Sequence, residues 1–73
     1  MNLPKLKRIA TGYYETRDGK WEVSKMVYPH NGEIAWCFRC TVPGHDLDEA
    51  HDHYPTRRET VYWLAHAMAE YPA

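Results

Sequence analysis

Residues 21–27 and 34–42 each alternate with a period of two, and Pro29-His30-Asn31-Gly32 stands between them. In the first run Trp21, Val23, Lys25 and Val27 alternate with Glu22, Ser24 and Met26. In the second, Ile34, Trp36, Phe38, Cys40 and Val42 alternate with Ala35, Cys37, Arg39 and Thr41. Such alternation suits a half-buried strand, whose successive side chains point to opposite faces. The intervening residues turn the chain because Pro fixes its own φ and Asn-Gly supplies positive φ. Setting Tyr28 against Glu33 pairs Val27 with Ile34, Val23 with Phe38 and Trp21 with Cys40. On the other face the same register pairs Glu22 with Arg39 and Ser24 with Cys37. Apolar meets apolar and acid meets base, which fixes the hairpin. Lys25 falls opposite Trp36, where its alkyl stem can cover the indole while its amine reaches water.

The period changes after residue 55. Thr56-Arg57-Arg58-Glu59 is a capping box, in which Thr56 accepts from the first turn and Glu59 reaches back. Val61, Leu64, Ala65 and Met68 then recur at helical spacing, and Tyr71-Pro72 stops the run. The helix is expected over 56–70. Upstream of the hairpin, a first strand is expected over roughly 8–16, turning at Arg17-Asp18-Gly19. A two-residue Asp-Gly turn would put Tyr14 on the core face. A three-residue turn with Gly19 left-handed would put Ile9 and Tyr13 there, and it is preferred because it buries Ile9. The expected fold is α+β: a three-stranded antiparallel meander packed against one C-terminal helix. Its parts are a sheet over about 8–42, an acidic His-rich loop over 43–55 and the helix over about 56–70. Trp21, Val23, Phe38, Val61, Leu64 and Met68 form the expected core.

Seventy-three residues leave room for one core, and ten aromatic side chains help to fill it. The opening Met1-Asn2-Leu3-Pro4-Lys5-Leu6-Lys7-Arg8 has no apolar stretch of the length a signal peptide or membrane span needs. A cytoplasmic location with no membrane partner is therefore expected, and in a reducing compartment the two cysteines are thiols. The net charge of −1 divides unevenly. Residues 1–42 carry seven Lys/Arg and four Asp/Glu, residues 43–55 carry four acids and no Lys or Arg, and residues 56–73 balance. That is less basic than a dedicated DNA binder usually is.

Candidate chemistry is sparse. Cys37-Phe38-Arg39-Cys40 has the spacing of a zinc pair, yet residues three apart on a strand face opposite ways, so Cys40 reads as core and Cys37 as an open-face thiol. His45, His51 and His53, with Asp46, Asp48, Glu49 and Asp52, crowd one loop. These histidines suit zinc chemically, but no second ligand cluster completes a rigid site, and a solvated polar loop is the expectation. Ser24, the only serine, lies on a strand without a glycine elbow. No glycine-rich phosphate cradle occurs. Tyr62 and His66, one helical turn apart, read as a surface pair. No catalysis and no cofactor are expected.

Thr11-Gly12-Tyr13-Tyr14, Asp18-Gly19-Lys20-Trp21-Glu22-Val23, Tyr54-Pro55-Thr56-Arg57-Arg58-Glu59 and Trp63-Leu64 together resemble small uncharacterised proteins of actinobacterial phages. More loosely, the chain is similar to the arm-type DNA-binding domain of phage tyrosine integrases. That likeness implies three strands and a helix, with the open sheet face entering a DNA major groove. A phage origin would place the protein in the host cytoplasm.

The functional expectation is a small non-enzymatic interaction module, a phage accessory protein that binds a host protein through its open sheet face. Tyr14, Met26, Cys37, Arg39 and Lys20 are the candidate binding residues, and the same patch can serve self-association as a homo-oligomer. The alternative is nucleic-acid binding through that face, with Lys20, Arg39, Arg17 and the Lys5-Lys7-Arg8 arm on phosphates. Charge disfavours it, because the acidic loop repels phosphate beside a weakly basic sheet.

Overall fold

In the computed structural model, which describes residues 2–73, four strands cross one antiparallel sheet in chain order. They are β1 (Leu6–Ala10), β2 (Tyr13–Thr16), β3 (Trp21–Val27) and β4 (Ile34–Cys40), and they are followed by helix α1 (Arg57–Glu70). The β3–β4 hairpin has the register that the apolar and charge pairing requires, from Trp21 opposite Cys40 to Val27 opposite Ile34. Tyr28 and Glu33 close it through the Tyr28 N–H bond to the Glu33 carbonyl, 2.9 Å.

The expected first strand is instead two strands, so the sheet has four and not three. The chain reverses at Thr11-Gly12, where Gly12 takes φ +73°. That left-handed conformation is open to glycine without steric penalty. A Cβ here would also meet the Lys25 Cβ at 3.2 Å, so the turn sits hard against β3. The Gly12 carbonyl accepts from the Lys25 N–H at 2.8 Å, extending the β2–β3 ladder through the turn. Ile9 is passed over in a bulge between Arg8 and Ala10 and stays 47% exposed, contrary to the expected burial.

The turn before β3 also differs from the preferred one. Gly19 is left-handed at φ +73°, but Tyr14 pairs with Val23 and Glu15 with Glu22. This is the register of the two-residue turn, opened into a four-residue loop over 17–20. Thr16 explains the opening. Its hydroxyl donates to Asp18 Oδ1 at 2.6 Å and accepts from the Trp21 N–H at 3.2 Å, while Asp18 also accepts from the Lys20 N–H at 2.9 Å. The Thr16 hydrogen bond, then that of Lys20, holds the Asp18 carboxyl below its ordinary pKa. The consequence is that Tyr14 lies on the helix face and Tyr13 on the opposite one.

Helix α1 begins as its sequence demands. The Thr56 hydroxyl accepts from the Glu59 N–H at 3.1 Å, and Tyr71 caps the other end by donating to the Ala67 carbonyl at 2.7 Å. The helix packs on β3 and β4. Trp21, Val23, Cys40, Leu64 and Ala67 form the buried centre, with Leu6, Tyr14, Trp36, Phe38, Leu47 and Met68 packed round it. Thr60 is fully buried on the same helix face and satisfies its hydroxyl on the Thr56 carbonyl at 2.9 Å.

The segment after β4 is not simply a solvated loop. Leu47 packs on the core, and its carbonyl accepts from the Cys40 N–H at 2.6 Å. Tyr54 and Trp36 exchange backbone hydrogen bonds at 2.7 and 2.8 Å. The loop therefore closes the outer edge of β4, which satisfies backbone groups that would otherwise need water.

Candidate functional site

The sheet face away from the helix is organised round Glu22. This carboxylate is buried, and it accepts from Arg39 across the hairpin and from the Tyr13 hydroxyl on β2. The Tyr13 hydroxyl is shared with Glu15 Oε1 at 3.1 Å. Hydrogen bonding to Glu22, with burial adding to it, holds Tyr13 protonated far above the ordinary range of a phenol. Arg39 has a further partner in the Asp48 carbonyl, 3.2 Å from Nη1. Next to this network, the Ser24 hydroxyl and the Cys37 thiol meet at 3.4 Å.

The expected binding residues thus separate. Tyr14 is a correction: it sits on the helix face, packed against the core, with the Arg57 guanidinium 4.7 Å above its ring. Cys37 does face away from the helix but is only 8% exposed, so it is not the open thiol expected there. Arg39 is committed to Glu22. Met26 is half-buried on the same face. Lys20 lies in the β2–β3 loop and donates to the Ala73 carbonyl at 3.0 Å. Structure therefore brings Arg39, Cys37 and Met26 onto one face and takes Tyr14 to the other.

The loop histidines also part company. His45 is folded in, its ring edge-on to Trp21 at 5.2 Å between centroids. Its Nδ1 accepts from the Leu47 N–H at 3.0 Å, so Nε2 carries the proton and donates to the Tyr71 carbonyl at 2.9 Å. His51 and His53 are exposed. Among the described residues no three His, Cys, Asp or Glu side chains gather closely enough to hold a metal ion. Tyr62 and His66 do form the expected pair on the helix, with ring centroids 4.8 Å apart.

A feature with free valence lies elsewhere. A cleft of about 550 Å³ opens between the N-terminal arm, β2 and the first turns of α1. Leu3, Pro4, Leu6, Tyr14 and Val61 give it apolar walls, and Arg57 and Arg58 stand at its rim. It exists because α1 covers β3 and β4, leaving the helix face of β1 and β2 without a lid. Lys5 on the arm, with Lys7 and Arg8 on β1, adds three more of the nine Lys/Arg residues on the segment that supplies Leu3, Pro4 and Leu6. Among the described residues the one ion pair is Arg39–Glu22, so none of these five cations is matched by a carboxylate.

Comparison with protein-family models, with curated proteins and with solved structures found no match. The site therefore has to be read from its own chemistry. The sequence signals that could have found it were the mixture of apolar and basic residues from Leu3 to Arg8 and the Arg57-Arg58 pair in the first helical turn. Neither says where the helix lies across the sheet, and that placement makes the cleft. Among the described residues, no helix is long and apolar enough to cross a membrane.

Proposed function

We propose that the chain is a non-catalytic interaction module that binds a partner protein through the cleft rimmed by Arg57 and Arg58. The observation that carries this reading is the pairing of an apolar floor with unmatched guanidinium groups. Arg suits such a place, because its planar fork binds carboxylates bidentately and is weakly hydrated. Apolar walls favour a ligand that brings side chains to bury. A partner segment combining carboxylates with apolar residues satisfies both. The face round Glu22 is a poorer contact, since Arg39 and Tyr13 already spend their hydrogen bonds within it. The resemblance to phage proteins makes a host protein the partner to seek.

Nucleic acid is the second reading, favoured by the same five cations. Phosphate backbones match the charge but leave Leu3, Leu6 and Val61 without an apolar contact, which is why the protein partner ranks first.

Capture from cell lysate, with and without nuclease, tests the choice when wild type is compared with R57E/R58E and with Met26→Glu. A protein retained by wild type and Met26→Glu but lost from R57E/R58E supports the cleft. Loss on Met26→Glu alone would move the contact to the other sheet face, and capture abolished by nuclease would favour nucleic acid.

A further inference from the structure

The two edges of the sheet are unlike. The outer edge of β4 is closed by Tyr54 on Trp36 and by Leu47 on Cys40. Along β1, no described residue beyond β2 pairs with the backbone. An unpaired edge of this kind is a template for another strand. Its usable length is set by covalent structure and local geometry. Pro4 has no N–H to donate, and the bulge at Ile9 interrupts the ladder. The edge available is Lys5 to Arg8.

Charge then selects the occupant. Lys7 shares a face with Glu15 and Arg8 with Tyr14, so cations flank the edge on both faces of the sheet. A second copy of the chain would bring the same Lys and Arg side chains against one another, and like charges directly opposed destabilise a strand pair. An acidic strand is attracted instead. Leu6 belongs both to this edge strand and to the cleft wall, so edge and cleft are continuous.

Resting on the protein-binding reading above, we infer that β1 receives a short acidic segment of the partner as a fifth strand. Its backbone pairs with Lys5 to Arg8. Alternate side chains point to one face of a strand, and those on the helix side enter the cleft against Leu3, Leu6 and Tyr14. Carboxylates at either end of that short stretch reach Arg8, Arg57 and Arg58.

The test uses the full chain, immobilised, and a display library of random dodecapeptides. The expected result is enrichment of peptides with apolar residues at alternate positions of a stretch of about four and acidic residues at its ends. One enriched peptide is then synthesised in three forms: unmodified, and N-methylated on each of the two alternating sets of backbone amides. In titration calorimetry one methylated form should bind at least about ten-fold more weakly and the other nearly as well as the unmodified peptide, because a strand directs alternate amides to opposite sides. R57E/R58E should also lose about ten-fold or more, with circular dichroism unchanged. If both methylated forms bind like the unmodified peptide, the fifth strand is overturned while the cleft reading stands. If no acidic consensus emerges, or if R57E/R58E binds the peptide as wild type does, both are overturned. A β1-to-β1 dimer of the free chain would overturn the inference in favour of self-pairing.

Discussion

The ring planes of Tyr54 and Phe38 are within 3° of parallel, with 6.3 Å between centroids. Tyr54 also runs nearly parallel to Trp63, 13° away and at 6.4 Å. One side chain therefore links sheet, loop and helix at the point where its own backbone pairs with Trp36. Replacing Tyr54 with Ala should cost about 2 kcal/mol, less than a fully buried aromatic because the site is half-exposed. Tyr54→Phe should stay within about 0.5 kcal/mol, since the stack is kept. Chemical denaturation measures both, and hydrogen exchange at the Trp36 amide should rise only in the Ala variant.

Tyr13 and Tyr54 should make the fold sensitive to alkali. Hydrogen bonding to Glu22 raises Tyr13, and burial, followed by the charges of Asp52 and Glu59, raises Tyr54. Both phenols keep their protons in the folded state at a pH where the unfolded chain has released them. Their contribution is fully present below the ordinary tyrosine pKa of 10.0 and is lost as pH rises above it. Ultraviolet titration should show two of the six tyrosines ionising above the ordinary tyrosine range. Tyr13→Phe should remove one of them and cost about 1 kcal/mol at neutral pH, through the lost hydrogen bonds to Glu22 and Glu15.

Gly12 and Gly32 have nearly the same φ, +73° and +72°, but different surroundings. An added Cβ at Gly12 meets the Lys25 Cβ at 3.2 Å, whereas at Gly32 nothing lies within 4 Å. Gly32→Ala should therefore cost about 1 kcal/mol, the strain of a left-handed alanine alone. Gly12→Ala should cost about 2 kcal/mol, because the β1–β2 turn must also move off β3. Equal losses for the two variants in denaturant titration would contradict the close approach.

Leu64 is fully buried against the Trp21, Val23 and Cys40 side of the sheet. Leu64→Ala should cost about 3 kcal/mol from lost burial and the cavity left behind. His45→Ala should cost about 2 kcal/mol, since it removes two hydrogen bonds and the edge contact with Trp21. The variants should differ in location: exchange quickens throughout the core for Leu64→Ala, and chiefly at Leu47 and the helix C-terminus for His45→Ala.

The β3–β4 hairpin and the helix were legible because their information is local. Pro29 to Gly32 specifies the turn, cross-strand partners agree in a single register, and Thr56 supplies its own cap. The first strand was misread because Thr11-Gly12 looks like part of an alternating run. Its turn is declared only by Gly12 taking a positive φ against Lys25. The register of β2 depended on Thr16 bonding with Asp18 and Trp21, a competition that residue spacing does not reveal. That single choice exchanged Tyr13 and Tyr14 between faces, and with them the expected binding patch. The cleft was less legible still. It depends on where α1 crosses the sheet, which is settled by Leu64 and Ala67 packing against residues of β3 and β4 some twenty to forty positions earlier.

A sheet with one clasped edge and one bare edge has a valence of one. Any strand that docks on β1 ends the series, because among the described residues the far side offers no second socket. Two copies joined there would turn their clasped β4 edges outward and stop at a pair. A fibre requires two bare edges on every unit, and the segment from Leu47 to Tyr54 withholds one of them. In this sense the acidic loop acts as a chain terminator. Loosening it at Tyr54 would turn each molecule from an end into a link.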